Sequence, residues 1–308
     1  MPLTDLIRYF NAADSSGDST MYLKGRRVEA WHRGLLLGSL FQPIVDLREE
    51  RIVGHMAILS AQQEDETPVG SEVAYASCES AGSLIYFDRL CRTLHALNLL
   101  AQRHTVGGYL QLAIDPRYLL AVPSQHGLVY EAILKRCGLA PADIVLEFSA
   151  SQLGSDGRLA AAVENYRRRG YRLALRDPEL SRDVAAVIAF KPEIVRFSGP
   201  PNESVLASFR QAGIALELSG IATGDDFASA KAASFDLGMG NLFGAAQSDG
   251  RPTHSKRVVA YNSLSLSGEC QDENRQQRHR TGRQHAAGQT QPHQRGLRRH
   301  HCRQAGVF

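Results

Sequence analysis

The sequence predicts an α/β fold in which parallel strands alternate with helices and close into a barrel. Three observations carry this. Between about Leu40 and Ala246, short apolar runs bounded by Gly, Pro, Asp or Asn alternate with stretches of helical period, the pattern of buried strands joined by crossover helices. The number of such runs favours a closed barrel over an open doubly wound sheet. The first two runs lie only a few residues apart, which suggests a hairpin-like, antiparallel start.

The strands are expected at Leu40–Leu47, Arg51–Ser60, Tyr109–Asp115, Ile144–Ser149, Tyr171–Arg176, Ile194–Phe197, Ile214–Leu218 and, with a weaker signal, Leu237–Met239. Helices are expected between them. Phe87–Leu100 sets Leu90, Leu94, Leu97 and Leu100 near one face. Gly157–Arg169 sets Leu159, Ala162, Val163 and Tyr166 on one face and ends in Arg167–Arg169, where cations suit the helix dipole. Asn202–Ala212 and Gly224–Ala233 read similarly. Residues 1–35 are expected to be a helical lead-in, with Asp5–Phe10 or Gly25–Leu37 covering the barrel, and residues 36–250 the barrel itself.

The pattern stops near Gly250. Residues 251–308 hold 11 Lys and Arg against 3 Asp and Glu, so this tail carries +8 and the body −5. The body therefore gives no electrostatic reason to bind nucleic acid, and only the tail does. Gln271–Arg303, rich in Gln, Arg and His, has too little apolar surface to offset its ordering entropy and reads as disordered. Two readings of the tail stay open: a functional basic arm, or out-of-frame sequence past the true end of the gene.

Five scattered cysteines, Cys78, Cys91, Cys137, Cys270 and Cys302, show no metal-ligand or redox spacing, so reduced thiols in a cytoplasmic setting are expected. The run Leu35–Phe41 is far too short to cross a bilayer. Gly238-Met239-Gly240 with Gly244 misses the dinucleotide spacing and reads as turn glycines. His293, His300, His301 and Cys302 sit among arginines that oppose a cation. Leu218-Ser219-Gly220 lacks the frame of a nucleophile elbow.

Phe41-Gln42-Pro43-Ile44-Val45-Asp46-Leu47 followed by Arg51-Ile52-Val53-Gly54 resembles the opening of EAL domains, the cyclic-di-GMP phosphodiesterases, just before their Glu-Ala-Leu signature. Further similar segments follow in the family's order: Leu110–Pro116, Leu146-Glu147-Phe148-Ser149, Gly170–Asp177, Pro192–Phe197, Gly213–Thr223 and Gly240–Gly244. The resemblance implies a modified (β/α)₈ barrel of EAL type with an antiparallel first strand pair, its site at the C-terminal ends of the strands. It also implies hydrolysis assisted by Mg²⁺ or Mn²⁺ held by carboxylates and an amide.

Carried across by that resemblance, most of those positions are changed. The signature Glu falls on Met56 and the amide ligand on Ala113. Glu147 survives, followed by Ala150. The paired aspartates become Arg176 and Asp177, and the site Lys becomes Arg196. The glutamates of the later strand become Ser219 and Ala222, and the late Gln becomes Met239. The Arg used to hold nucleotide becomes Ser60, while Gln42 and Leu59 remain. The loop Asp177–Asp183, which couples dimerisation to metal binding in the family, has lost both glycines.

A residual ligand site of Gln42, Glu147, Arg176, Asp177 and Arg196 is therefore expected, with no catalytic residue, no metal ligand set and no cofactor. Arg176 and Arg196 are expected to stand in for the cations and pair with Glu147 and Asp177. The expected role is a degenerate module of bacterial cyclic-di-GMP signalling that acts on a regulatory protein partner. A non-hydrolytic cyclic-di-GMP receptor and an active phosphodiesterase are the alternatives, and homodimerisation stays open.

Overall fold

The computed structural model describes residues 2–13, 17–122, 126–153, 157–176, 183–252, 255, 257 and 259–261. The chain begins with α1 (Leu3–Ala13), which buries Leu6, Ile7 and Phe10. Next, β1 (Ser19–Lys24) and β2 (Arg27–His32) form an antiparallel hairpin. Of the two segments expected to give a covering helix, Asp5–Phe10 is helical within α1, and Gly25–Leu37 is strand instead. Val28, Ala30 and His32 are buried at every second position, a period of two that suits a strand, and Gly25 turns the hairpin at φ +64°.

The barrel starts with β3 (Leu35–Asp46) and β4 (Arg51–Gln62), a long antiparallel pair. The short β5 (Pro68–Val69) folds back on β4. There follow α2 (Ser71–Ala76), α3 (Ala81–Gln102), β6 (Tyr109–Ala113), α4 (Pro116–Ala121), α5 (Leu128–Cys137), β7 (Ile144–Ser149), α6 (Gly157–Arg168) and β8 (Arg172–Arg176). The alternation continues through α7 (Val184–Phe190), β9 (Ile194–Phe197), α8 (Glu203–Gln211), β10 (Ala215–Ser219), α9 (Gly224–Ala232) and β11 (Leu237–Met239). β4 and β6 to β11 pair in parallel in that order, and β11 closes the ring antiparallel to β3.

The strands β6 to β10 are buried on both faces, one against helices and one against the barrel axis. Phe148, Tyr166, Phe197 and Phe209 fill the outer layer. Ile44, Met56, Tyr109, Val145, Ala174, Ile194 and Met239 form a separate inner cluster. α3 is locked to the hairpin through Asn98, whose amide donates to the Val28 carbonyl at 2.7 Å and accepts its N–H at 2.9 Å.

The folded body continues past Gly250. Gln247 bridges to Phe41, Gln102 and His55 hold Gly250 at 2.7 and 2.9 Å, and Arg257 pairs with Glu50. β12 (Ala260–Tyr261) then lies parallel to the start of β4. Residues 262–308, with the histidines near position 300, lie outside the described residues. Among the described residues, no helix is long and apolar enough to cross a membrane, and Cys78, Cys91 and Cys137 are unpaired.

Candidate functional site

Strand register decides which side chains meet at the C-terminal mouth of the barrel. Glu147 on β7 is level with Ala113 of β6 on one side and Ala174 of β8 on the other. Both neighbours are small. Arg196 of β9 can therefore reach over Ala174 and meet Glu147 with two parallel bonds, Nε to Oε2 at 2.7 Å and Nη2 to Oε1 at 2.5 Å. Such a fork-to-carboxylate pair is the strongest geometry an arginine offers. Arg176, level with Arg196 at the end of β8, points its Nε at Glu147 Oε1 from 3.8 Å and leaves 55% of its side chain exposed.

Of the residues expected at the site, Glu147, Arg176 and Arg196 are thus brought together. Gln42 is not part of that cluster: its amide donates to the Gly244 carbonyl at 3.4 Å. Asp177 lies outside the described residues. Met56 and Met239 are buried in the inner cluster, and Ser219 donates its hydroxyl to the Phe197 carbonyl.

Two inward residues had no place in the expected site. Gln111 on β6 donates its amide to Glu147 Oε2 at 2.8 Å. Glu217 on β10, level with Arg196, is fully buried, and neither of its oxygens has a hydrogen-bond partner of good geometry. Burial pushes the Glu217 carboxyl up to about 7, with Glu147 adding to the rise while Arg196 and the Gln111 amide pull against it. Burial would lower the Arg196 pKa, but Glu147, with Glu217 beyond it, raises it, so the guanidinium stays charged. The signal for both residues was in the sequence. Leu110-Gln111-Leu112 and Leu216-Glu217-Leu218 each set a polar side chain between leucines, which in a strand buried on both faces means the barrel axis.

A cleft of about 460 Å³ opens over the mouth, walled by Arg176 and Arg196 on one side and by Tyr75 of α2 and Arg117 of α4 on the other. Its floor reaches Arg92 of α3. Arg92 is ion-paired with Asp88 one turn earlier, both buried, and its guanidinium lies over the rings of Tyr118 and Tyr130 at 4.4 and 5.6 Å. Burial lifts the Asp88 carboxyl to about 6 despite that partner.

The family model described as EAL domain matches residues 29–199, more than half of the chain. This protein belongs to the EAL domain family. Solved EAL structures agree on the fold. The Klebsiella pneumoniae BlrP1 manganese/cyclic-di-GMP complex superposes with a TM-score of 0.57 at 16% identity, covering 68% of this chain and 56% of BlrP1. A standalone versatile EAL protein from Vibrio cholerae O395, in a cyclic-di-GMP-bound form, gives 0.55 at 20%, covering 70% of this chain and 94% of its own. Bacillus subtilis YkuI, with an EAL domain, in complex with substrate cyclic-di-GMP and calcium, gives 0.57 at 16%, covering 69% and 55%. This EAL chain therefore spans little more than half the length of BlrP1. No curated protein matches it.

Proposed function

We propose that this EAL domain is a non-hydrolytic module of cyclic-di-GMP signalling that acts through contact with a regulatory protein. The observation that carries the reading is the state of Glu147. Both of its oxygens are taken by Arg196, with Gln111 adding a third bond. The carboxylate that the family resemblance assigns to a divalent cation is therefore neutralised by a protein cation.

The rest of the donor set does not fit Mg²⁺ or Mn²⁺ either. These ions require several hard oxygen ligands. The positions that the resemblance assigns to ligands carry the thioethers of Met56 and Met239, the methyl of Ala113, and Ser219, whose hydroxyl is engaged with Phe197. Among the described residues no three Asp, Glu, His or Cys side chains converge. Fold likeness alone does not restore the chemistry.

The test incubates the full chain with cyclic-di-GMP and Mn²⁺ or Mg²⁺ and follows the linear dinucleotide by chromatography. No product is the expected result, and turnover overturns the reading.

A second reading, as a cyclic-di-GMP receptor, is favoured by the cleft and by the half-exposed Arg176 on its rim. Among the described arginines on the cleft walls, Arg176 is the one least committed as a phosphate clamp, because Arg196 is held by Glu147 and Arg117 pairs with Asp115. Calorimetric titration separates the readings. Micromolar binding that Arg176→Ala weakens at least tenfold supports the receptor, and no heat of binding supports the protein-contact module.

A further inference from the structure

One strand of this barrel has a stretch of backbone that no other strand covers. β4 pairs with β3 along one edge. On its other edge it meets β12 at Arg51–Ile52, β6 at Gly54–Met56 and β5 at Ala61–Gln62. Between the last two contacts, Ala57–Ser60 have no partner strand among the described residues. At about 3.3 Å per residue, the open run is roughly 13 Å long.

The hydrogen-bonding groups of that run alternate, and their direction is fixed. Phe41 of β3 exchanges both of its backbone bonds with Gln247, at 2.7 and 3.1 Å, so it turns away from β4. Ala57 stands directly opposite Phe41. Facing residues of an antiparallel pair turn toward or away from each other together, so Ala57 turns away from β3. The alternation puts Leu59 outward too, and it continues to Gln63, whose N–H donates to the Thr67 carbonyl at 2.9 Å. Leu59 therefore offers an N–H and a C=O that no other backbone meets among the described residues.

The cleft reaches this edge. Met56 and Ile58 face the barrel axis, whereas Ala57 and Leu59 face the helical layer, yet all four line the same cleft. A space that touches both faces of a strand passes around its edge. Toward the axis it extends to Arg176 and Arg196, and toward the helices to Tyr75 of α2 and Cys91 of α3.

We propose that the cleft receives an extended segment of the regulatory protein, which adds as a short strand to β4 at Ala57–Ser60. The inference rests on the protein-contact reading and says where that contact is made. Leu59 requires a donor and an acceptor one strand spacing away, about 4.8 Å, and a second peptide backbone supplies both. Successive side chains of an added strand go to opposite faces. One goes to the mouth, where Arg176 is half exposed and stands 3.8 Å from a carboxylate that Arg196 already holds. An acidic side chain there gives Arg176 a partner of its own. The wall carboxylates do not take that place. Asp115 pairs with Arg117, and exposed Glu72 stands on the α2 wall opposite Arg176. The neighbouring side chains of the segment go outward between Tyr75 and Cys91, where the charge of Arg92 is already met by Asp88, and apolar groups suit that space. The segment is thus apolar, acidic, apolar.

The test pans a displayed library of random nine-residue peptides on the full chain and remeasures the selected sequences as synthetic peptides. Selected peptides should share the apolar–acidic–apolar pattern and bind Arg176→Ala at least tenfold more weakly. Methylating their backbone nitrogens one at a time should cost at least tenfold at alternate positions and little in between, the period of a strand. That scan leaves the protein unaltered, so it reads strand addition whatever a substitution does to folding. In hydrogen exchange by NMR, the Leu59 amide of the free chain should exchange faster than those of Ile58 and Ser60, and at least tenfold more slowly once peptide is bound. A free-chain Leu59 amide as protected as its two neighbours overturns the proposal. So does a selection that yields no peptide, with or without binding of cyclic-di-GMP, or only peptides indifferent to Arg176→Ala and to methylation. The cyclic-di-GMP product assay is read separately. Turnover alongside an edge-bound peptide sinks the non-hydrolytic reading alone, and peptides bound elsewhere without turnover sink this proposal alone.

Discussion

Replacing Arg196 with methionine should cost far more stability than replacing Arg196 and Glu147 together. Arg196 is 12% exposed and Glu147 1%, so the single change leaves a carboxylate in the barrel with two charge-assisted bonds removed. Breaking a buried pair from one side costs roughly 3–5 kcal/mol. Arg176 at 3.8 Å and the Gln111 amide offset part of this, which places the expected loss near 3 kcal/mol. In a body of this size a kilocalorie shifts Tm by about 2–4 °C, so Arg196→Met should melt roughly 6–12 °C lower. In Arg196→Met with Glu147→Gln no charge is stranded, and the double variant should lie within about 1 kcal/mol of wild type. The assay is urea unfolding of the full chain at pH 7.5 followed by circular dichroism. A single variant within about 0.5 kcal/mol of wild type would refute the reasoning, as would a double variant no more stable than the single one.

Three further outcomes follow from the buried groups and the sheet edge. Glu217 binds its proton more tightly folded than unfolded, with a carboxyl raised from 4.5 to about 7. Its contribution is thus full below pH 4.5 and lost as pH rises to 7, by about 3 kcal/mol in all. Unfolding of wild type and Glu217→Gln at successive pH values should diverge across that window and run parallel above it. His55 behaves oppositely: burial lowers it from 6.5 to about 4, although the Gly250 carbonyl accepts from its Nε2–H and pulls the other way. Its neutral form stabilises the fold above pH 6.5 and that stability fades toward pH 4, so His55→Gln should flatten the acid limb of a pH–Tm curve, and an unchanged limb would count against it. Asn11 holds both the N–H and the carbonyl of Met21 at 2.8 Å on the outer edge of β1. Asn11→Ala should cost about 1–2 kcal/mol and promote concentration-dependent association through that edge, whereas a monomer at all concentrations in light scattering would contradict the edge argument.

The barrel was legible because its strands are short apolar runs cut by turn residues. Ile144–Ser149, Ile194–Phe197 and Leu237–Met239 fall on the expected residues. The first hairpin was not legible, because Gly25–Leu37 mixes charge with apolar residues and its alternation is only three residues deep on the buried side. At the mouth, Glu147 and Arg196 were readable from the family resemblance. Their bidentate contact was not, since it depends on Ala174 standing between them in the register. Glu217 was not legible from the resemblance, because the ligand position it assigns on that strand is Ser219, two residues further along. The Asp88–Arg92 pair was visible only as an i, i+4 spacing in an otherwise apolar helix, a spacing that on most helices marks a solvated surface.

The closure of the ring has a consequence for how the chain is made. β3 needs two partners, β4 a few residues away and β11 nearly the whole barrel later, and Phe41 and Glu50 find Gln247 and Arg257 later still. During synthesis the β3–β4 hairpin can form early, but one of its edges stays open until residues near 239 leave the ribosome. That wait is long in folding terms, because distant pairings are slow to find and an open edge is sticky meanwhile. A chain stopped at Gly250 would close the ring without the Arg257 latch or β12. A chain that reaches Tyr261 carries every clasp seen in the described residues.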